Sequence, residues 1–507
     1  MTTNTLKEPS VFMRRAWLVF VAALLVRLII LPFSMTTEAD AASRVLITEH
    51  WMQHPFSVPH EAWPPLHFYL IAAALLVGKD PVLAPILMTM LFSAGTAVVL
   101  YAMIRREWGE APALFVAGAW MFYPVALRYS VMAVSEIPFA FFISLTMLQL
   151  FKARAEDGGW RSALWAGFWL TMAGAVRFEA WMLIPLFGLL LWKKPVALFA
   201  FLAMASLFPV AWMLRCFVRL GDPFSSFTNT AQFGLLDGIN EGLTPHKQIK
   251  RAVYLPEALF FGLTPLVSVA CIVGATLQAA RRGRQRLWLI PFIGMSVVLV
   301  DEFITGKYLM MIPRYTILAG LLILPFAAEG FATLMPRLHH PAAVSAFVLA
   351  TMVPFSYIRH ANVHAVAMAV PPYIEAVPRL SPKAQSISRL LNEHVRPGAD
   401  ALILDWWNWS ETGYVMLMVR MKPEQIFRMP GGEHLPLESD RLAAFLRQNE
   451  SGVALVGPKS RFIEVKNVDG SRILSVRGLE KNLRVDPIAS AEGFVLYRYR
   501  TAEPEPR

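Results

Sequence analysis

Between Trp17 and about Ile358 the chain is a succession of apolar runs, each of about 17–25 residues, the length a helix needs to cross a hydrocarbon core about 30 Å thick. Lipid offers no hydrogen bonds, so each such run must satisfy its own backbone as a helix. The pattern dictates a mainly α fold, a polytopic membrane bundle. Charged residues make up only 16% of the 507, against about 25% in soluble domains. The net charge of +11 is carried in short loops between runs, which marks membrane orientation and not a nucleic-acid surface. The first run lacks a small-residue cleavage site and is followed by further runs, so it reads as a span and not a signal peptide. Cys216 and Cys271 fall in or near apolar runs, and neither a disulfide framework nor a metal motif follows from them.

Lysine and arginine assign the sides. Arg14 and Arg15 precede the first run, which puts the N-terminus inside and "SMTTEAD" outside. "PPLHFYLIAAALLVG" (64–78) is short for a span and opens on two prolines, so it is expected to lie along the membrane face. Run 81–104 then returns inward to Arg105 and Arg106. Alternation continues through runs 111–127, 131–151, 162–176, 180–192 and 195–214. A polar external loop reaches about Tyr254. Run 255–279 returns to "RRGRQR" (281–286), the strongest cytoplasmic mark, and runs 287–304, 315–333 and 341–358 follow. These make about eleven spans. Residues 1–358 form the membrane domain, with 36–80 as its first external loop, and residues 359–507 lie outside.

The last segment changes character. "SPKAQSISRLLNEHVRPGAD" reads as an amphipathic helix closed by Pro-Gly, and "DRLAAFLRQNE" as another. "ALILD" (401–405), "GVALVG" (452–457) and "EGFVLYRYR" (492–500) read as strands. Together they describe a C-terminal external α/β domain.

The charges at the outer ends of the runs require an explanation beyond orientation. Glu38, Asp40, Arg44, Glu61, Arg128, Glu136, Arg177, Glu179, Lys307 and Arg314 all fall there. Burying such a group in lipid costs roughly 3 kcal/mol, so they are expected to line a cavity open to the external side. The middles of the runs are nearly uncharged, which argues against an ion-coupled transporter or a flippase for a lipid-linked saccharide.

An outer loop carrying "EAD", then "HEAWPPLHFYL", resembles the GT-C membrane glycosyltransferases, and within them the protein O-mannosyltransferases and lipid A aminoarabinose transferases. "EAD" is similar to the modified Asp-x-Asp motif of that superfamily. In "HEAWPPL" Trp63 stands where the family has a lysine, so that lysine's role does not transfer. "SEIPFAFF" (135–142), "AVRFEAWMLIP" (175–185), "GDPFSSF" (221–227) and "PRYTILAG" (313–320) recur in the same order as in those enzymes. The resemblance implies transfer of a sugar, with inversion, from a polyprenyl-phosphate donor to a glycan, lipid or protein acceptor at the external face. It implies an integral plasma (inner) membrane enzyme in contact with membrane lipids.

Direct displacement needs a base for the acceptor hydroxyl and positive charge at the departing phosphate. Asp40 is the candidate base, with Glu38 beside it. Their i, i+2 spacing points them to different faces of a helix, so one of the two reaches the acceptor. Arg44 lies one turn after Asp40, placed to pair with it. A solvated acid pair neutralised by Arg44 is the plain alternative. Glu61 reads equally as a sugar or acceptor contact and as a cap on the helix beginning near Pro64. Arg314 is the candidate phosphate ligand, with Lys307 as helper; interfacial snorkelling is its alternative. Arg177 and Glu179 read equally as substrate contacts and as a structural salt bridge. Glu136 needs a partner, and Arg128 is the candidate for a structural pair. No cofactor is expected. A divalent metal (Mg or Mn) held by "EAD" with His60 or His67, as in a metal-dependent oligosaccharyltransferase, is the lesser reading.

Overall fold

The computed structural model describes residues 9–31, 39–60, 63–155, 159–228, 245–281, 284–305, 313–334, 340–358, 382–405, 409–419, 421, 423–429, 439–458, 460, 462–468, 471–476 and 483–501. Contacts divide the chain into two units. The first holds residues 1–34, 56–235 and 239–374, and the second 35–55, 236–238 and 375–507. Segment 35–55, expected within the membrane domain's loop, therefore groups with the C-terminal residues.

Helices α1 (Pro9–Ile30) and α2 (Ala39–Gln53) open the chain, followed by α3 (Leu66–Gly78), α4 (Leu83–Trp108), α5 (Glu110–Phe122) and α6 (Pro124–Ser130). Next come α7 (Glu136–Arg154), α8 (Trp160–Val176), α9 (Glu179–Gly188), α10 (Pro195–Ala205) and α11 (Leu207–Leu220). The bundle continues with α12 (Pro245–Gly262), α13 (Pro265–Ala280), α14 (Leu289–Thr305), α15 (Ile317–Leu334) and α16 (Pro341–Ile358).

Among the described residues, five helical stretches are long and apolar enough to cross a membrane: Leu83–Trp108, Glu136–Arg154, Pro195–Leu220, Gln285–Thr305 and Arg314–Leu334. Two bent pairs raise the number to seven if each is one span. The α5–α6 pair turns by 58° at Pro124, which has no N–H for the ladder. The α12–α13 pair turns by 109° before Pro265, and Thr264 there holds φ at 69°, a region β-branched residues seldom enter. The other expected runs carry helices as well, but length and composition alone do not make them spans. "PPLHFYLIAAALLVG" becomes α3, of 13 residues. Close packing fixes α13 against α15: a Cβ on Gly274 would lie 1.8 Å from the Phe326 carbonyl oxygen. That crossing needs glycine, and it anchors the helix that follows Arg314.

The second unit contains α2, α17 (Pro382–His394), α18 (Trp409–Met418), α19 (Ser439–Gln448) and seven strands. These are β1 (Ala401–Asp405), β2 (Ile426–Arg428), β3 (Ser451–Val456), β4 (Ile463–Val468), β5 (Ser471–Val476), β6 (Leu483–Ala491) and β7 (Phe494–Thr501). The sheet order is β2-β1-β3-β7-β6-β5-β4. β1 is parallel to β2 and β3, and the remaining pairings are antiparallel. Ala401 and Ile403 point from β1 to the face where Phe427, Leu442, Phe445 and Leu446 close a core. Gly413 of α18 admits α2, since a Cβ there would meet the Ala42 methyl at 2.6 Å.

Asp405 ends β1 and is buried. Burial pushes its carboxyl from 3.8 up to about 6, against the Ser460 hydroxyl and Gly457 N–H that favour the charged form. A raised folded value means that the protonated group contributes fully at pH 4 and below and that this contribution is lost as pH rises through 6. A shift of about two units corresponds to about 3 kcal/mol. Asp405→Asn should therefore raise amide protection of peptides covering β1 and β3 at pH 7.5 and leave it unchanged near pH 4. Hydrogen exchange on the full chain checks this; an equal change at both pH values would disprove it.

Candidate active site

In the first unit, four charges meet where α7, α8, α9 and α15 begin or end. Glu136 is the first residue of α7 and Glu179 the first of α9, where the positive end of a helix favours a carboxylate. Arg177 caps the C-terminus of α8, where the exposed carbonyls favour a cation. Arg314 lies in the 3-10 turn Pro313–Thr316 that leads into α15.

Arg177 is the hub. Its Nη1 donates to Glu136 Oε1 at 2.6 Å and to Ser135 Oγ at 3.1 Å, and its Nε donates to Glu179 Oε1 at 3.0 Å. Its Nη2 also donates to Glu179. Arg314 Nε lies 3.3 Å from the same Glu136 oxygen, and Arg314 Nη2 donates to the Tyr315 hydroxyl at 3.3 Å. The Tyr315 ring faces both guanidiniums, with ring-to-carbon distances of 5.3 Å and 5.2 Å. The side chains of Glu136 and Arg314 are each 5% exposed. Two cations against two carboxylates make the cluster neutral, which allows burial at this depth. Phe139, Leu299, Ile317 and Leu318 complete a small pocket around it.

The sequence-derived candidates Arg177, Glu179 and Arg314 thus come together. Glu136, expected from the sequence to form a structural pair with Arg128, accepts a hydrogen bond from Arg177 and lies within ion-pair distance of Arg314. Its signal was an acid in the first turn of an apolar run. Ser135 and Tyr315 carried no sequence signal beyond their places in "SEIPF" and "PRY".

Asp40 occupies the first turn of α2, partly buried, and Arg44 is buried one turn later; both belong to the second unit. Glu38, Glu61 and Lys307 lie outside the described residues. His60 accepts the Trp63 N–H through Nδ1 at 3.1 Å and stacks on that indole, and His67 is buried at the start of α3. Among the described residues, no group of three or more His, Cys, Asp or Glu side chains could hold a metal ion.

The family model for dolichyl-phosphate-mannose-protein mannosyltransferases matches residues 62–218, a stretch holding Glu136, Arg177 and Glu179. ArnT from Cupriavidus metallidurans, solved with undecaprenyl phosphate, superposes with a TM-score of 0.63 at 13% identity, over 95% of this chain and 98% of that one. The Archaeoglobus fulgidus oligosaccharyltransferase with Zn and sulfate superposes with a TM-score of 0.50 at 14% identity, over 86% and 67%. The archaeal oligosaccharyltransferase AglB from Archaeoglobus fulgidus, with an inhibitory peptide and a dolichol-phosphate, gives 0.50 at 12%, over 87% and 69%. No curated protein sequence matches the chain. The protein is an integral membrane protein with the fold of the GT-C glycosyltransferases, and it resembles their protein mannosyltransferase and ArnT group.

Proposed function

We propose that the protein is an inverting glycosyltransferase that moves a sugar from a polyprenyl-phosphate donor to a glycan, lipid or protein acceptor. The observation that carries this reading is the buried Glu136–Arg177–Glu179–Arg314 cluster within a GT-C fold. Lipid phosphates bound in the ArnT and AglB structures support the donor class. In the reaction the acceptor oxygen forms a bond to the anomeric carbon as the bond from that carbon to the phosphate oxygen breaks. The acceptor proton passes to a carboxylate, for which Asp40 is the choice, and polyprenyl phosphate leaves as the anion. Arg314 holds the phosphate, with Lys307 as helper, while Arg177 and Glu179 fix the sugar end. Glu38 supports the base, Arg44 pairs with it, and Glu61 orients the sugar or acceptor. No cofactor enters this scheme. The sugar class, hexose or pentose, is left to the donor assay.

Arg314→Ala should weaken polyprenyl-phosphate binding at least tenfold, measured with the lipid in detergent. Arg314→Lys should restore only part, because a point charge replaces a bidentate fork. Unchanged affinity in the alanine variant would sink the assignment.

The same reading has about eleven spans in the plasma (inner) membrane, a cytoplasmic N-terminus and residues 359–507 external. The lysine and arginine distribution supports it. In intact cells an impermeant thiol reagent should label Ser451→Cys and spare Arg284→Cys; the opposite result would invert the map.

A further inference from the structure

The sheet of the second unit contains a reversal of strand order. The chain leaves β1 for β2 on one side and then crosses to β3 on the other. In parallel sheets such a reversal opens a crevice beyond the carboxyl ends of the two diverging strands, and ligands bind there. Asp405 and Val456 are the last residues of β1 and β3 and lie side by side. The Asp405 carboxylate accepts the Gly457 N–H and the Ser460 hydroxyl, both just beyond β3.

Asp405 is 7% exposed, yet among the described residues its Oδ2 has no hydrogen-bond partner. Buried carboxylate oxygens are otherwise satisfied, so this one calls for a donor from elsewhere. At neutral pH the group is mostly ionised and only accepts. A hydroxyl, which donates a single hydrogen bond and brings no charge, fits one open acceptor position on that carboxylate.

We propose that the β1/β3 crevice of the second unit binds a neutral saccharide, with Asp405 Oδ2 accepting a hydrogen bond from one of its hydroxyls. The saccharide class rests on the glycosyl-transfer reading, in which the site would hold part of a glycan acceptor. The test is calorimetric titration of the full chain in detergent with neutral mannose and arabinose oligosaccharides. Asp405→Asn and Asp405→Ala should weaken binding at least tenfold, with hydrogen-exchange protection of β1 and β3 confirming that the Asn variant is folded. Saccharide should also protect 451–458 in the wild-type chain and not in the variants. Equal affinity in all three chains, no saccharide binding, or binding of serine-containing peptides instead would overturn the site. Undecaprenyl-phosphate binding is measured in the same samples. If it is absent while saccharide binding depends on Asp405, the transfer reading fails and the crevice stands; if it depends on Arg314 while no saccharide binds, the reverse holds.

Discussion

Arg177→Ala should destabilise the membrane unit by about 3–5 kcal/mol, the usual result of removing one partner from a buried ion network. Arg177 donates to Glu136, Ser135 and Glu179 at once. Its loss leaves the Glu136 and Glu179 carboxylates without the donor that joins them. Arg177→Lys should recover little, because one ammonium cannot span acceptors on α7 and α9 as a planar fork does. Thermal unfolding of the detergent-purified chain checks the stability loss. A stability effect alone would not separate scaffold from active site, so the charge-balanced double variant Arg177→Met, Glu179→Gln decides. It removes one cation and one carboxylate, keeps Glu136 against Arg314, and should regain most of the stability while sugar transfer stays lost. Full turnover by the double variant would reduce the cluster to a structural clamp.

How much of this was legible beforehand depends on the range of each interaction. The membrane bundle could be read because every crossing must satisfy its backbone locally, so hydropathy over one run suffices. The strands at 401–405 and 452–457 could be read for a similar reason: both are continuously buried parallel strands. β4, β5 and β6 mix polar and apolar residues and are recognisable only once their partners are known. The bends at Pro124 and Thr264 interrupt runs whose hydropathy looks continuous, so a count of crossings from hydropathy alone takes no account of them. Within the site, Arg177 and Glu179 are neighbours in sequence and were visible as a pair. The bond from Arg177 to Glu136 and the approach of Arg314 to it join segments far apart in the chain, and charge type alone does not choose between Arg128, Arg177 and Arg314 as partners. The grouping of α2 with α18 was equally hidden, since it depends on the fit of Ala42 against Gly413.

Asp40→Asn should lower turnover by about 10²–10⁴-fold, the usual contribution of a general base, while polyprenyl-phosphate affinity stays constant. The amide keeps the size of the carboxylate and most of its hydrogen bonding but cannot take the acceptor proton. A purely structural Asp40 makes a different forecast. In the first turn of α2 an acid suits the positive helix end, and losing that charge costs about 0.3–1 kcal/mol with no effect on chemistry. The two roles therefore separate in the ratio of turnover loss to stability loss. Glu38→Gln should cost less than Asp40→Asn, and the double variant should lose less than the sum of the two, because neighbouring acids in one site are coupled. A metal-holding pair would behave otherwise. A chelator would then silence the wild-type enzyme, and added Mn²⁺ or Mg²⁺ would partly rescue the single variants. Turnover equal to wild type in Asp40→Asn, assayed in detergent with a polyprenyl-phosphate sugar, would remove Asp40 from the mechanism and pass the base to another carboxylate, with Glu38 first in line.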